Sequence, residues 1–566
     1  MIIDALELPA GADLQADVCI VGSGAAGIAL ALPFADGRHE VLVIEAGGIR
    51  HEPDSQALYT GEVADARLHP PLDRYRERRF GGSTTTWGGR CVPFDPIDFE
   101  ARDYVPHSGW PIGYETLRPY YARATQLCEA GECAFDAASA FPRGLPPLLA
   151  GFDSASFSTD TLERFSCPTD FGRRYRARLE AAANLRVLLH ANVTGLELDR
   201  DGGAVSAVRA ASLGGKTLRV RARCVILAAG GLENARLLLA SDEVQRAGIG
   251  NAHDLVGRYY MCHLAGTTGT LALAPGVAVR YGYEVSDDGI YCRRRFALRA
   301  DAQRRLGVGN FIARLHHPRI TDPAHGSGAL SLLYLAKPFI PYEYAKRLHG
   351  DDAHGVGRWF AHLGNLVRDP LQAFAFAWQM LTQRKLAERK FPSIIIEPRR
   401  PRFSLDFHAE QLPNPDSRVT LGSERDALGM RRLRLDWRYR RDDVDTVARA
   451  LATFAADVRA SGIGHYDYDA DAIEAEMLRY GAYGGHHIGT ARMARSPRDG
   501  VVDADLRVHG VDNLFVAGAA VFPTSSQANP TLTIVALSLR LAEHLQARLA
   551  AGVPLAAAAP LRELAA

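Results

Sequence analysis

Residues 17–45, DVCIVGSGAAGIALALPFADGRHEVLVIE, leave the chain little freedom of fold. DVCIV (17–21) is a short apolar run of strand character. GSGAAG (22–27) follows it, then IALALPFA at helical composition, then VLVIE (41–45) as a second buried strand. This is strand–turn–helix–strand with G-x-G-x-x-G at the turn and an acid closing the second strand, the pattern of a dinucleotide-binding unit. Gly22 permits the tight turn, Gly24 lets a pyrophosphate approach the backbone, and Gly27 lets helix and strand pack closely. The helix N-terminus offers unpaired N–H groups and the positive end of a dipole to the phosphates. Glu45 can accept hydrogen bonds from a ribose diol, which argues against a 2′-phosphate and hence against NADP.

At 566 residues the chain is too long for one core, since single cores stop growing near roughly 250–300 residues, so two large lobes are expected. Lys+Arg 66 against Asp+Glu 65 leaves a net charge of +1, and no global field favours nucleic acid. The arginine runs RYRERRF (74–80) and PRRPRF (398–403) read first as solvated faces, with an anionic cofactor or partner as the alternative. The eight cysteines have no C-x-x-C spacing. Cys19 and Cys224 lie inside apolar runs and read as small buried hydrophobes rather than disulfides or metal ligands. The N-terminus lacks a basic segment followed by an apolar one, and no window of about 18 apolar residues occurs; a cytoplasmic location without a transmembrane segment is expected.

Further along, 184–198 and 216–231 read as strands and 233–241 as a helix. From about 265 to 470 strand-like segments mix with a helical stretch at 335–391. Inside it, LQAFAFAWQML (371–381) reads as a packed helix, with a lid, a dimer surface or shallow membrane contact as alternatives. NLFVAGAAVF (513–522) is a strand passing into a Gly-Ala turn. ANPTLTIVALSLRLAEHL (528–545) is a helix with Asn529 at N-cap and Pro530 at N1. The Ala-rich tail at 550–566 reads as frayed. The expected fold class is therefore α/β, α+β over the whole chain. A Rossmann-like lobe is assembled from both chain ends, and a substrate lobe of sheet plus helices is inserted. The segments are 1–124, 180–264 and 471–549 for the dinucleotide lobe and 265–470 for the substrate lobe.

Several motifs together resemble the glucose-methanol-choline (GMC) flavoprotein oxidoreductases: DVCIVGSGAAG…VLVIEAGG, RFGGSTTTWGG (79–89), WPIGYETLRPYYARA (110–124), HDLVGRYYMCH (253–263), PNPDSRVTL (413–421), HHIGTARM (486–493) and the segment 500–545. The nearest branch is that of bacterial pyranose oxidases and sugar or glycoside dehydrogenases. The resemblance implies FAD without NAD, and oxidation of an alcohol to a carbonyl by hydride transfer to flavin N5. Gly22, Gly24, Gly27 and Glu45 match the family's ADP-binding motif, Val193 the contact to adenine, and Gly518 and Ala519 the turn near the ribityl and pyrophosphate. Gly81, Gly82 and Trp87 match the segment beside the isoalloxazine. In pyranose oxidases that segment runs S-T-H-W and its histidine is bonded covalently to the flavin. Thr86 stands there in this chain, so non-covalent FAD is expected.

Hydride departs from an alcohol carbon readily only when the hydroxyl proton is also removed, so the site needs a neutral base and a second group to hold the hydroxyl. Imidazole suits the first task at neutral pH. The family's catalytic histidine lies three residues before the Gly of Gly-Thr, which is His486 here, and its partner before the Pro of the last helix is Asn529. The helix starting at Asn529-Pro530-Thr531 would aim its N-terminus at the charge gained by reduced flavin. Adjacent side chains of an extended segment point to opposite sides, so His487 is expected to pack away from the flavin. Asn529 could serve only as a helix cap, and two adjacent histidines with no third ligand make a poor metal site, so no metal is expected. The expected partner is a small alcohol, a carbohydrate by analogy with the branch, with oxygen, a quinone or a protein carrier as electron acceptor and oligomerisation left open. The rival readings are a lyase of the same fold that holds FAD without redox turnover, and a flavin-binding scaffold subunit.

Overall fold

The computed structural model describes residues 1–339, 355–393, 395–396 and 401–552. One sheet of eight strands runs in the order Ile2–Asp4, Leu185–Leu189, Val41–Ile44, Ala12–Val21, Thr217–Leu227, Val205–Ala211, Asn192–Leu198, with Leu514–Val516 also paired to Thr217–Leu227. The pairings among its first five strands, and that of Leu514–Val516, are parallel. Parallel strands covered on both faces read as unbroken apolar runs. Accordingly Val18, Cys19, Ile20, Val41, Leu42, Val43 and Ile44 are all buried. The two chain ends thus meet in one sheet. The long helix Thr531–Ala550 packs beside Tyr114–Leu127, where the Tyr121 hydroxyl lies 3.0 Å from Oγ1 of Thr533.

The run 184–198 is broken at His190, whose φ of 54° turns the chain, and its halves occupy separate strands. The last helix begins at Thr531 rather than at Pro530, and the side chain of Asn529 does not cap it. That amide is engaged elsewhere, as described below.

The second sheet is antiparallel. Its order is Gly464–Asp467, Met261–Leu273, Arg402–Glu410, Phe311–His316, Phe296–Leu298, Phe157–Ser158, and Tyr483–Ile488 joins it on Met261–Leu273. Phe157, Phe296, Phe311 and Phe407 fill its core with Phe454 from the helix Arg441–Ala460. A smaller sheet pairs Arg90–Cys91, Leu162–Phe165, Tyr291–Arg294 and Glu284–Val285.

One surface reading is refined and one changes. The segment 371–381 is packed on one face only: in Pro370–Gln379 Ala373 is buried and Phe376 lies on the cluster of Ala329, Leu330, Leu333 and Ile396, while Leu371, Phe374 and Trp378 are exposed by 80%, 67% and 58%. The run 74–80 is not a solvated face, because Arg76 and Arg78 are buried against Glu233 and the ring of Tyr59. Of the second arginine run, 398–400 lie outside the described residues, as do 340–354 of the helical stretch and 553–566 of the tail. No helix among the described residues is long and apolar enough to cross a membrane.

Candidate active site

The main cleft begins at the first turn. A Cβ on Gly22 would lie 2.6 Å from the carbonyl oxygen of Ala228, and one on Gly27 would lie 1.9 Å from that of Gly22. Both positions therefore need glycine for packing. Gly24 differs: a Cβ there would meet nothing closer than Gly82 Cα at 4.0 Å, so the space over it is open to a ligand. Gly82, with φ +53°, would itself press a Cβ to 2.9 Å from Gly24 Cα, which holds the 81–86 turn against the first one. Glu45 is buried and accepts from the Ser23 amide at 3.0 Å, the Ser23 hydroxyl at 2.6 Å and the Gly47 amide at 3.1 Å. Its carboxylate is thereby fixed at the cleft wall. Val193, Thr86, Trp87, Gly518, Ala519, Pro530 and Thr531 line the same cleft; the Trp87 indole is fixed by donating to the Thr169 carbonyl at 2.8 Å. Gly81 is absent from the lining and holds the turn from behind, where its φ of +92° and the backbone of Gly172 exclude a side chain.

At the other end of the cleft stand both histidines of the 484–493 motif. His487 also borders the cleft, but its Nδ1 is held by the Tyr260 hydroxyl and its Nε2 is buried, as suits a packing residue. Met261 pairs with Ile488 and His263 with Tyr483, so the strand Tyr483–Ile488 bulges between two close pairings. Gly484 (φ +80°) and Gly485 (φ +64°) make the bulge, and a Cβ on Gly485 would lie 2.2 Å from Cβ of Tyr75. A bulge breaks the alternation of side chains, which brings two successive imidazoles to one cavity.

Their hydrogen bonds fix their tautomers. Nε2 of His263 lies 3.1 Å from the Ser525 carbonyl, which only accepts, so that nitrogen carries hydrogen. Neutral His263 then has a bare Nδ1, and it lies 2.7 Å from Nδ1 of His486, which must donate. His486 is left with its lone pair on Nε2, 3.3 Å from Nδ2 of Asn529. The Asn529 amide is oriented in turn: Arg90 donates through Nε to its Oδ1 at 2.6 Å and again through a terminal nitrogen. His487 repeats the pattern. Nδ1 of His69 lies 2.6 Å from the Pro70 carbonyl, so its Nε2, at 2.8 Å, takes the hydrogen of the Tyr260 hydroxyl. The Tyr260 oxygen then accepts from Nδ1 of His487 at 2.7 Å. Nε2 of His487 has no hydrogen-bond partner among the described residues.

The electrostatics agree with neutral imidazoles. Burial holds His486 well below the usual imidazole range, helped by His263, Arg90 and His487. Burial and then Arg90 bring His263 down to about 3, and burial with Arg76 and His69 lowers His487. Two trios, His263/His408/His486 and His69/Cys262/His487, have ligand atoms within 4.8 Å of one another. In the second trio the Tyr260 hydroxyl lies between the donors, and in the first His263 and His408 are bonded to the Ser525 and Gln527 carbonyls.

The wall opposite the dinucleotide turn comes from residues the sequence did not single out. Arg90, Arg293, Arg314 and Asp406 line it, with Glu163 buried behind. They come from strands far apart in sequence, and no local spacing signals them. The alternation in Arg402–Glu410 was the one available hint, since it puts Asp406 and His408 on one face of a strand.

A dinucleotide-type turn and, at the far end of the same cleft, a neutral imidazole beside an oriented amide fit an oxidoreductase that uses a bound dinucleotide. The model "FAD dependent oxidoreductase" matches residues 17–334, and the model "GMC oxidoreductase" matches residues 413–538. The chain belongs to the FAD-dependent GMC oxidoreductases. It is 26% identical to 6'''-hydroxyparomomycin C oxidase of Streptomyces lividus over 97% of this chain and 94% of that protein. It is 24% identical to the fructose dehydrogenase large subunit of Gluconobacter japonicus, covering 94% and 97%. Its fold is shared with pyridoxine 4-oxidase from Mesorbium loti, at a TM-score of 0.53 and 20% identity over 94% of this chain and 99% of that one.

Proposed function

We propose that the protein oxidises a hydroxyl of a sugar or glycoside to a carbonyl, with His486 as the base and Asn529 as the group that holds the hydroxyl. FAD, when bound, supplies the hydride acceptor at N5. The observation that carries the assignment is the bare Nε2 of His486 beside the amide of Asn529 in the cleft that ends at Glu45. A hydroxyl oxygen placed between them accepts from Asn529 Nδ2 and gives its proton to His486 Nε2. His263 keeps the Nδ1 hydrogen in place through this step, so the imidazole takes the proton on the cleft side. Arg90 stops the Asn529 amide from flipping. Nε2 of His487 is buried, has no hydrogen-bond partner among the described residues and is closed to the cleft, so it offers no second base.

For the cofactor we assign Gly22, Gly24 and Glu45 to the ADP moiety with Val193 at adenine, Gly27 acting through the packing of the turn. Gly518 and Ala519 lie toward the ribityl chain, and Gly82, Thr86, Trp87, Pro530 and Thr531 toward the ring, with Gly81 holding that turn from behind. The segments 1–124, 180–264 and 471–549 form the FAD lobe and 265–470 the substrate lobe, with Tyr483–Ile488 crossing over to join the substrate-side sheet on Met261–Leu273. FAD is bound without a covalent link: Thr86 has no nucleophilic ring nitrogen and no cysteine lines the cleft among the described residues. Acid precipitation should therefore leave the yellow colour in the filtrate.

The relatives support the carbohydrate class, since names among them are those of a fructose dehydrogenase and a C-glycoside 3-oxidase of Microbacterium trichothecenolyticum, matched over 25% of this chain. The test is anaerobic mixing of the holoenzyme with a panel of sugars, glycosides, sterols and aryl alcohols. A sugar or glycoside should bleach the oxidised flavin band. A protein that stays yellow with every alcohol would be a lyase or a scaffold instead.

A further inference from the structure

Resting on the alcohol-oxidation reading above, we propose that the substrate carries an oxyanion, a carboxylate or phosphate seated against Arg293 and Arg314. The preferred substrates are then sugar acids or sugar phosphates rather than neutral sugars. Arg293 and Arg314 stand on the strands Tyr291–Arg294 and Phe311–His316, each is 5% exposed, and both line the cleft. They are at the reacting end, because Arg314 shares the Glu163 carboxylate with Arg90, which itself holds Asn529.

The charges on this wall do not balance. Arg90 lies 3.5 Å from Glu163, and Arg314 lies 3.3 Å from Glu163 and 3.4 Å from Asp406. Two carboxylates thus serve two guanidinium groups, and Arg293 is left over. It sits directly opposite Glu163 in the strand register, yet among the described residues it has no carboxylate within 4.0 Å. Among the described residues its one hydrogen bond is from a terminal N–H to the Leu315 carbonyl at 2.6 Å, and its Cζ lies 5.7 Å from the centre of the Tyr283 ring.

A guanidinium has five N–H donors and stays protonated at any working pH. Among the described residues Nη1 of Arg293 makes no hydrogen bond and is not closed off, whereas Nε of Arg293 and Nε of Arg314 are shut inside the protein and Nη2 of Arg314 faces Asp406 at 3.4 Å. A buried charge with idle donors is costly unless a partner of opposite sign arrives. A ligand oxyanion offers that partner and the planar acceptor geometry that suits a guanidinium fork. A cationic amino sugar would meet repulsion at the same wall.

The test uses FAD-loaded enzyme without air, titrated with gluconate, glucuronate, glucose 6-phosphate, glucose and glucosamine. The shift of the flavin spectrum reads binding, and bleaching reads turnover. At least one anion should bind tenfold or more tightly than glucose, with glucosamine weakest. The carboxylate and phosphate arms tell which oxyanion fits. Arg293→Leu should cut the ratio of anion to glucose affinity at least tenfold, and Arg293→Lys should retain part of it at unchanged FAD content. Arg314→Gln serves the same purpose if Arg293→Leu does not accumulate. Glucose binding as tightly as every anion, or an unchanged ratio in both charge-removing variants, would overturn the proposal. Spectral shifts by anions with no bleaching by any sugar would count against the oxidation reading while leaving the oxyanion seat standing.

Discussion

Replacing His263 by Leu probes the hydrogen-bond chain that makes His486 a base. His263 lines no part of the cleft and acts only through Nδ1 of His486, 2.7 Å away, so it is a positioning residue. Leu cannot accept that hydrogen. A buried donor left unsatisfied costs about 1–3 kcal/mol. The tautomer with hydrogen on Nδ1 loses that much relative to the one with hydrogen on Nε2, which cannot act as base. At about 1.36 kcal/mol per tenfold, this corresponds to roughly 5- to 150-fold in the productive population. Flavin reduction followed by anaerobic stopped flow should therefore slow by about 10- to 100-fold at saturating substrate. The substrate concentration giving half-maximal rate should change little, because no contact to substrate is lost. His263→Asn, whose amide oxygen can accept, should recover part of the rate. A folded, FAD-replete His263→Leu enzyme that reduces its flavin as fast as the parent would refute the reasoning.

Further outcomes follow from the same geometry. The acid limb of kcat/KM should fall below pH 6.5, because burial, His263 and Arg90 all disfavour protonated His486; a midpoint at or above 6.5 in a pH–rate profile would contradict this. Below the ordinary imidazole pKa the unfolded chain binds protons that the folded His263 refuses, since its folded pKa is about 3. The stability it contributes is complete above pH 6.5 and is lost as the pH falls toward 3, by at most about 1.4 kcal/mol per pH unit. Asp98 and Asp443, raised by burial to about 8 and about 7, act in the opposite direction. The difference in denaturant midpoint between parent and His263→Asn therefore isolates the effect and should shrink from pH 7 to pH 5. Gly485→Ala should lower the melting temperature by several degrees and depress turnover, because φ is +64° and the new Cβ would meet Tyr75 at 2.2 Å; an unchanged melting curve would show that the bulge relaxes.

The sequence made the dinucleotide turn legible because the G-x-G-x-x-G spacing is local. The structure shows Gly27 packed on Gly22, Gly22 packed against the distant Ala228, and Gly24 open. His486 and Asn529 were found through motif position. Their placement in one cleft depends on the second sheet meeting the first, which no periodicity encodes. Strict alternation at His486 and His487 would need an unbroken strand, and Gly484 and Gly485 interrupt it with a bulge that only the pairing to Met261–Leu273 reveals. Arg90, Glu163, His263, Arg293 and Arg314 were missed because their roles arise from pairings between strands distant in the chain. The apolar composition of 371–381 does not say which face has a partner, and only the face with Ala373 and Phe376 finds one among the described residues.

The most direct test of the central claim is the rate of flavin reduction, without air, in His486→Ala and His487→Ala holoenzymes given the same sugar substrate. Loss of a general base costs about 10²–10⁴-fold. His486→Ala should lose that much with FAD still bound, and His487→Ala much less. A His486→Ala enzyme that bleaches at nearly the parent rate, or one that outpaces His487→Ala, would contradict that claim.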